Sequence, residues 1–387
     1  MSRRAIGGVP NQHTSVCILS SGRKTNDERI YYKIARSLRK RYDRIVVIAP
    51  GGWDHRFDDG IELVSITKRR SRWNRLGTLR ELFQKANEWP SSVYQCEEVD
   101  SWLVGWLIAR KNRARLVFDA HEFDPAGVAE GAPPVICGLL WLTVAVVERF
   151  LTRRTGLILV ANDIVRGYFL ILDRFARIVR LENAPVLALF KEGKPTEKNG
   201  VLLCHEGSMG FSRGLKSIVR LIDRMKQAGI NTRLRIVGDV YGEERSWMER
   251  ELRRRNIADC IETTGWLKYP EVGKAVEGCD IGLITMQPLA VNMLSGRPNK
   301  LFNYMRYGLA VVSSDFPEIT RVVDQEQCGL IYKCGDEEGL FTVTMKLVND
   351  ANLRTTMGLN GKRAVLREYN WETMEQRLLT AYTDILR

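Results

Sequence analysis

No two of the eight cysteines form a close pair: they stand at 17, 96, 137, 204, 260, 279, 328 and 334. That scatter excludes zinc and iron–sulfur frameworks. Cysteines set in apolar runs such as SVCILS and GVLLCHEG read instead as buried thiols of a reducing compartment. Long apolar runs are also lacking. The longest uncharged one, residues 135–147, has thirteen residues, short of the ~20 that a bilayer span needs. It reads either as a buried helix or as a helix lying against a membrane. The start, MSRRAIGGVPNQHTS, is basic without an apolar centre, so it is not expected to act as a secretion signal. No internal repeat or low-complexity segment interrupts the chain. No basic motif is joined to a recognition element, so nucleic acid is not an expected partner.

What is present is a long globular sequence. A chain of 387 residues with 44% hydrophobic content suits two domains better than one core. Its charge is uneven. Residues 1–190 hold 30 Lys and Arg against 20 Asp and Glu, and the remainder holds 29 against 26. The runs Arg39-Lys40-Arg41 and Lys68-Arg69-Arg70, followed by Arg72 and Arg75, could face anionic lipid headgroups or a diphosphate substrate. They could equally form a solvated basic surface.

Apolar strand-like runs alternate with helical periodicity along both halves. In the first, strands are predicted at 16–19, 44–49, 60–66, 92–96 and 114–118. Helices are predicted at 27–41, where Ile30, Ile34 and Leu38 recur every four residues, and up to about 111. In the second, strands at 201–204, 234–237, 261–264, 281–284 and 310–313 alternate with helices at 215–228, 272–278, 301–306 and 319–325. The pattern predicts α/β architecture, with two doubly wound, Rossmann-like domains facing a cleft. The expected boundaries are a basic extension at 1–14, a first domain at 15–190, a linker at 191–199 (KEGKPTEKN), a second domain at 200–368 and a terminal helix at 369–387. That helix could complete the second domain or pack back on the first.

The segment 298–318, PNKLFNYMRYGLAVVSSDFPE, carries most of the functional signal. It reads as a polar turn, a helix bearing Lys300 and Asn303, a glycine stop, a buried strand, and Glu318 after a proline. A helix entered beside the carboxyl end of a parallel strand is where nucleotide-linked ligands are held. The DAHE segment at 119–122 marks a second strand exit.

Taken in order, these pieces resemble the retaining glycosyltransferases of family 4, which use the two-domain GT-B fold. In the first half the resemblance rests on Asp27-Glu28-Arg29-Ile30, YQCEEVDS at 94–101, FDAHE at 118–122 and Asn183-Ala184-Pro185. In the second it rests on GSMGFSRGL at 207–215, RIVGD at 235–239, GWLKYPE at 265–271, CDIGL at 279–283 and the PNKLFNYM segment. The resemblance implies a donor nucleotide diphosphate on the carboxyl-terminal domain and an acceptor approaching from the amino-terminal one. It implies metal-independent hexosyl transfer with retention, from a uridine or guanosine diphosphate sugar to a hydroxyl of a glycan or lipid-linked saccharide. No cofactor is expected beyond that donor. Bacterial capsule, exopolysaccharide or O-antigen synthesis is the implied process, with an anionic inner-membrane surface and polysaccharide-assembly proteins as partners. The expected location is cytoplasmic, at the inner face of the plasma membrane. A sugar-nucleotide epimerase and a non-catalytic nucleotide- or glycan-binding subunit are the rival readings.

The resemblance also assigns residues. His121 would orient the donor sugar, with Glu122 and Asp119 beside it or stabilising its loop. Arg213 would engage the diphosphate, as arginine's bidentate geometry suits. Ser208 stands where many relatives have a second basic residue, and Lys300 could compensate. Asn303 replaces the glutamate associated with the ribose hydroxyls, and Ser295 replaces the earlier one of that pair. Pro298 and Asn299 would shape the turn that presents backbone amides to the diphosphate, or serve structure alone, and Leu301 is expected beside them among the donor-binding residues. Gly22 and Gly238 would allow close ligand approach, Asp239 would cap locally, and Glu318 would cap a helix or touch the donor. Arg29 would support the first-domain cleft or form an ion pair, and Glu98 and Asp100 would orient an acceptor or be solvated. Trp102, Trp141 and Tyr269 read as packing residues.

Overall fold

The computed structural model describes residues 14–52, 54–67, 75–120, 134–189, 200–289 and 298–387. His121, Glu122, Ser295, the 191–199 linker, most of the 68–75 basic run and the amino-terminal extension lie outside the described residues. The chain divides into two compact units. The first comprises Met1–Leu181 with Met374–Arg387, and the second comprises Glu182–Thr373.

The first unit is built on eight strands: β1 (Ser15–Leu19), β2 (Arg44–Pro50), β3 (His55–Asp58), β4 (Ile61–Ile66), β5 (Val93–Cys96), β6 (Arg115–Ala120), β7 (Leu157–Val160) and β8 (Ile178–Arg180). They lie in the order β3-β4-β2-β1-β5-β6-β7-β8. Every pairing among them is parallel except β3 with β4. Interior strands such as β1 and β2 are buried on both faces, which is why they read as apolar runs. The antiparallel β3 was not foreseen. Three of its four residues are exposed, so it has no apolar signature. It forms because Asp59 and Gly60, both at positive φ, make the tight hairpin turn that returns the chain along β4.

The helix after β1 starts at Asp27, whose carboxylate accepts from the amides of Arg29 (2.8 Å) and Ile30 (3.3 Å). Its first turns, Glu28–Ala35, are π-helical. The terminal helix Trp371–Leu386 delivers Met374–Arg387 to the first unit. There Glu375 accepts from Ser37 Oγ and Lys40 Nζ, both at 2.8 Å, and Tyr382 donates to Gln95 Oε1. The apolar stretch in Pro134–Thr152 is helical, but the buried-helix reading does not hold. Leu139, Leu142 and Val146 are each 60% exposed or more, on the stripe that their spacing gives. Among the described residues, no helix is long and apolar enough to cross a membrane.

The second unit has six strands: β9 (Val201–Glu206), β10 (Thr232–Val237), β11 (Ile261–Thr263), β12 (Ile281–Ile284), β13 (Ala310–Ser314) and β14 (Gly329–Tyr332). All are parallel, in the order β11-β10-β9-β12-β13-β14. Alternate residues feed two cores. Leu203, Ile236, Leu283 and Val312 pack on one face with Ile218, Ile222 and Met225 of the helix Leu215–Gln227. Leu202, Cys204, Ile284 and Val311 pack on the other with Leu301, Phe302 and Met305. The period of two in the strands meets the 3.6 period of the helices at both faces.

Candidate functional site

The carboxyl edge of the second sheet gathers the charged side chains. β9 is apolar until its end, where His205 and Glu206 appear, both buried. Gly207 then turns the chain at φ +93°, with its amide donating to Val237 O (2.9 Å). A loop runs on to Gly214, at φ +88°, where an added Cβ would stand 2.1 Å from Thr285 O. Only glycine fits there. Thr285 Oγ1 donates to Arg213 O (2.9 Å), and Gln287 N donates to Ser212 O (2.9 Å). The segment after β12 thus fixes the backbone that carries Arg213.

The helix Asn299–Arg306 docks on this edge through one face. Lys300 Nζ lies 3.2 Å from His205 Nε2, and Asn303 Nδ2 donates to Glu206 Oε1 (2.8 Å). Tyr304 Oη accepts from Glu206 N (2.8 Å) and donates to Leu283 O (3.2 Å). Positions 300, 303 and 304 share a face by helical geometry. Arg213 Nη1 donates to Ser208 O (2.9 Å) and Ser208 Oγ (3.0 Å). A methyl group placed on Gly207 would meet Arg213 Nη1 at 3.5 Å and Lys300 Nζ at 3.9 Å. Two cationic side chains therefore converge on one glycine turn at a strand exit, an arrangement suited to an anion.

The electrostatics are those of a crowded site in which Lys300 and His205 are buried. Burial, then the nearby Arg213 guanidinium, pushes the Lys300 ammonium down to about 7, with Glu206 and Cys204 acting the other way. Burial, then Lys300 and Arg213, holds the His205 ring well below its ordinary value. Exposed Arg213 is the permanent charge of the pair.

Of the sequence-predicted residues, the structure brings Arg213, Ser208, Lys300 and Asn303 together. Pro298 and Asn299 open the same helix. Ser208 acts on the arginine rather than as a second basic clamp. Leu301 does not join them: its side chain is fully buried in the core and its amide donates to Pro298 O (3.0 Å). Adjacent helical positions point about 100° apart, so Leu301 faces the core while Lys300 faces the end of β9. Gly238 allows a close approach, but of backbone. At φ +151°, an added Cβ would lie 2.3 Å from Gly207 O. Asp239 accepts from Val240 N (2.8 Å) and pairs with Arg245. Glu318 sits in the first turn of the helix Pro317–Glu326, 3.5 Å from Arg321 Nη2. His205 and Glu206 were missed. Their signal was available as two polar residues ending an apolar strand immediately before a glycine.

Gly22 lies in the first unit, where a carboxylate already fills its loop. Glu98 accepts from Ser20 Oγ (2.7 Å), Ser21 N (3.0 Å) and Gly22 N (3.3 Å). Asp100 accepts from Ser21 Oγ (2.6 Å) and from Arg75 Nε (2.5 Å). Arg29 forms a bidentate ion pair with Asp119 at 2.6 and 2.8 Å and also donates to Leu181 O (3.0 Å). Beside it, burial and then the Asp119 charge hold the Glu97 carboxyl well above the usual range. Trp102 stacks on Phe118 at 3.8 Å and donates to Thr155 Oγ1 (2.9 Å). Tyr269 Oη accepts from Val186 N at 3.5 Å in the second unit.

Comparison with known proteins places this site in context. Residues 201–350 match the family model described as Glycosyl transferases group 1. The amylovoran biosynthesis glycosyltransferase AmsK of Erwinia amylovora is 24% identical over 135 residues, covering 35% of this chain and 33% of that protein. The chain spans less than half the length of the curated relatives it matches. Sucrose-phosphate synthase from Thermosynechococcus elongatus superposes with a TM-score of 0.78 at 14% identity, over 96% of this chain and 99% of that one. Anabaena HepE, solved in complex with UDP-glucose, superposes with a TM-score of 0.71 at 15% identity, over 96% of this chain and 100% of that one. Two Rossmann-like units on parallel sheets, matching these structures across nearly the whole chain, give this protein the GT-B fold.

Proposed function

We propose that the protein is a glycosyltransferase that draws its sugar from a nucleotide diphosphate donor held at the carboxyl edge of the second sheet. The observation that carries the reading is the convergence of Arg213 and buried Lys300 on the Gly207 turn, within the stretch that matches the glycosyl transferases model. As the bond to the sugar breaks, negative charge grows on the diphosphate. Two preoriented cations offset it without the reorganisation that water would need. They also provide the positive charge that a metal would otherwise bring, so transfer is metal-independent in this reading. Retention of anomeric configuration, hexosyl transfer and a uridine or guanosine diphosphate donor complete it, with His121 orienting the sugar. The acceptor is a hydroxyl of a glycan or lipid-linked saccharide of a cell-surface polysaccharide, a role supported by the likeness to AmsK.

The same reading places the protein against an anionic membrane surface. The exposed stripe of Leu139, Leu142 and Val146, with Arg149, Arg153 and Arg154 at the helix end, combines apolar insertion with headgroup attraction. The test is mass spectrometry of purified protein with uridine and guanosine diphosphate sugars, with and without membrane-extracted lipid-linked acceptors. Acceptor-dependent gain of one sugar, lost in Arg213→Ala, is the expected result. Donor isomerisation without acceptor would establish the epimerase, and binding without turnover across acceptors would favour a non-catalytic subunit.

A further inference from the structure

The anion site holds one more titratable group than a fixed clamp needs. Lys300 is 7% exposed and His205 fully buried, with Nζ and Nε2 3.2 Å apart. Two nitrogens at that separation, both removed from water, cannot both belong to positively charged groups without strong repulsion. Among the described residues, the charged and titratable groups facing Lys300 are His205, Glu206 and Cys204 from β9 and Arg213 from the 207–214 loop. On its own helix, Asn303 is neutral and holds the Glu206 carboxylate. Of the described groups acting on Lys300, Arg213 disfavours its charge and Glu206 favours it, so its protonation responds to what else enters the site.

We propose that His205 is a positioning residue for Lys300. Its Nε2 accepts from Nζ, and this contact lets the buried amine take up a proton from solvent when a diphosphate arrives. This inference rests on reading the site as an anion site. The proton balance is simple: solvent gives one proton to Nζ, the histidine stays neutral, and the gained charge meets the incoming phosphate. The direction follows from the surroundings. Burial and Arg213 disfavour the ammonium, and an anion replaces water as its partner. Without an acceptor at 205, the ammonium would be buried against apolar surface and harder still to form.

The test begins without ligand. In protein carrying 13C-labelled lysine, the Lys300 Cε signal is assigned by its loss in Lys300→Met and followed against pH. The expected midpoint lies near neutrality, while exposed lysines titrate around 10. It should fall by about one pH unit in His205→Phe and return in His205→Gln, whose amide oxygen can accept again. A purely structural histidine would not give that rescue. Calorimetry with UDP-glucose follows, in two buffers of different ionisation enthalpy near pH 7.5. UDP-glucose is used because its diphosphate has no proton to exchange there. Uptake of about half a proton or more per ligand bound is expected, and none in Lys300→Met. A ligand-free midpoint near 10, or one unmoved by His205→Phe, would overturn the proposal. If the midpoint behaves as expected but neither UDP-glucose nor GDP-mannose binds, the couple stands and the nucleotide-sugar reading fails.

Discussion

Removing Arg29 should cost more than removing the charge on Asp119, although the two form one pair. Arg29 and Asp119 are 2% and 0% exposed and meet through two hydrogen bonds of 2.6 and 2.8 Å. Breaking a buried pair by deleting one partner costs about 3–5 kcal/mol, because an uncompensated charge is left in the interior. The neighbours make the two deletions unequal. In Arg29→Met, the Asp119 carboxylate faces Glu97, whose carboxyl is already held above its usual range by burial and by Asp119. Arg29 is the cation whose charge both carboxyls feel, and the loss should reach the upper end of that range. In Asp119→Asn, burial still raises the Glu97 carboxyl but the Asp119 repulsion is relieved, and Glu97 ionises more readily towards Arg29. That loss should stay near about 2 kcal/mol. Hydrogen exchange of the β1, β5 and β6 amides reads the opening of the first unit alone, so unfolding of the other unit does not blur it. Exchange should quicken by roughly three orders of magnitude or more in Arg29→Met and by one to two in Asp119→Asn. A less than fivefold change in Arg29→Met, or the reverse order of the two variants, would refute this charge accounting.

Other consequences are open to direct test. Lys300→Met should stabilise the ligand-free second unit in urea denaturation, because it removes a buried group whose charged form is disfavoured. It should weaken UDP-glucose binding at the same time. Gly238→Ala should cost about 3 kcal/mol or more, since its Cβ would stand 2.3 Å from Gly207 O; thermal melting and donor binding should fall together. Glu148 is buried beneath the Tyr168 hydroxyl, and burial pushes its carboxyl up to about 7 from a model-peptide value near 4.5. A raised carboxyl pKa favours the fold below the unfolded value and loses that advantage as pH rises towards the folded one. First-unit stability should therefore fall between about pH 4.5 and 7, by up to about 3 kcal/mol. Glu148→Gln should flatten that slope in pH-dependent urea melts.

The parts of this fold legible in the sequence were those whose burial leaves a local signature. The strands ending at Leu19, Ile66, Cys96 and Ile284 announce themselves as apolar runs because both of their faces are covered. β3 and β8 do not, being short with no buried residue; β7 and β14 were not foreseen either, although both are short apolar runs. At the site, Arg213 and Lys300 were legible as cations at strand and helix junctions. Their environment was not. The contact of Lys300 with His205 spans 95 positions, and that of Asn303 with Glu206 spans 97. Gly22 illustrates the same limit, since its loop is filled by Glu98, 76 residues further along. Leu301 shows a different one: segment matching carries a whole turn of helix to the ligand, while helical geometry sends one residue of that turn into the core.

The account's central claim is that Arg213 and Lys300 hold a nucleotide diphosphate sugar. Equilibrium titration of UDP-glucose and GDP-mannose into wild-type protein, Arg213→Ala and Lys300→Met tests it most directly. Each charge-assisted contact to phosphate contributes about 1.5–3 kcal/mol. The account predicts that the wild type binds at least one donor, and that each variant binds it roughly 10–150-fold more weakly while remaining folded. Binding of neither donor by the wild type, or undiminished binding by both variants, would contradict it.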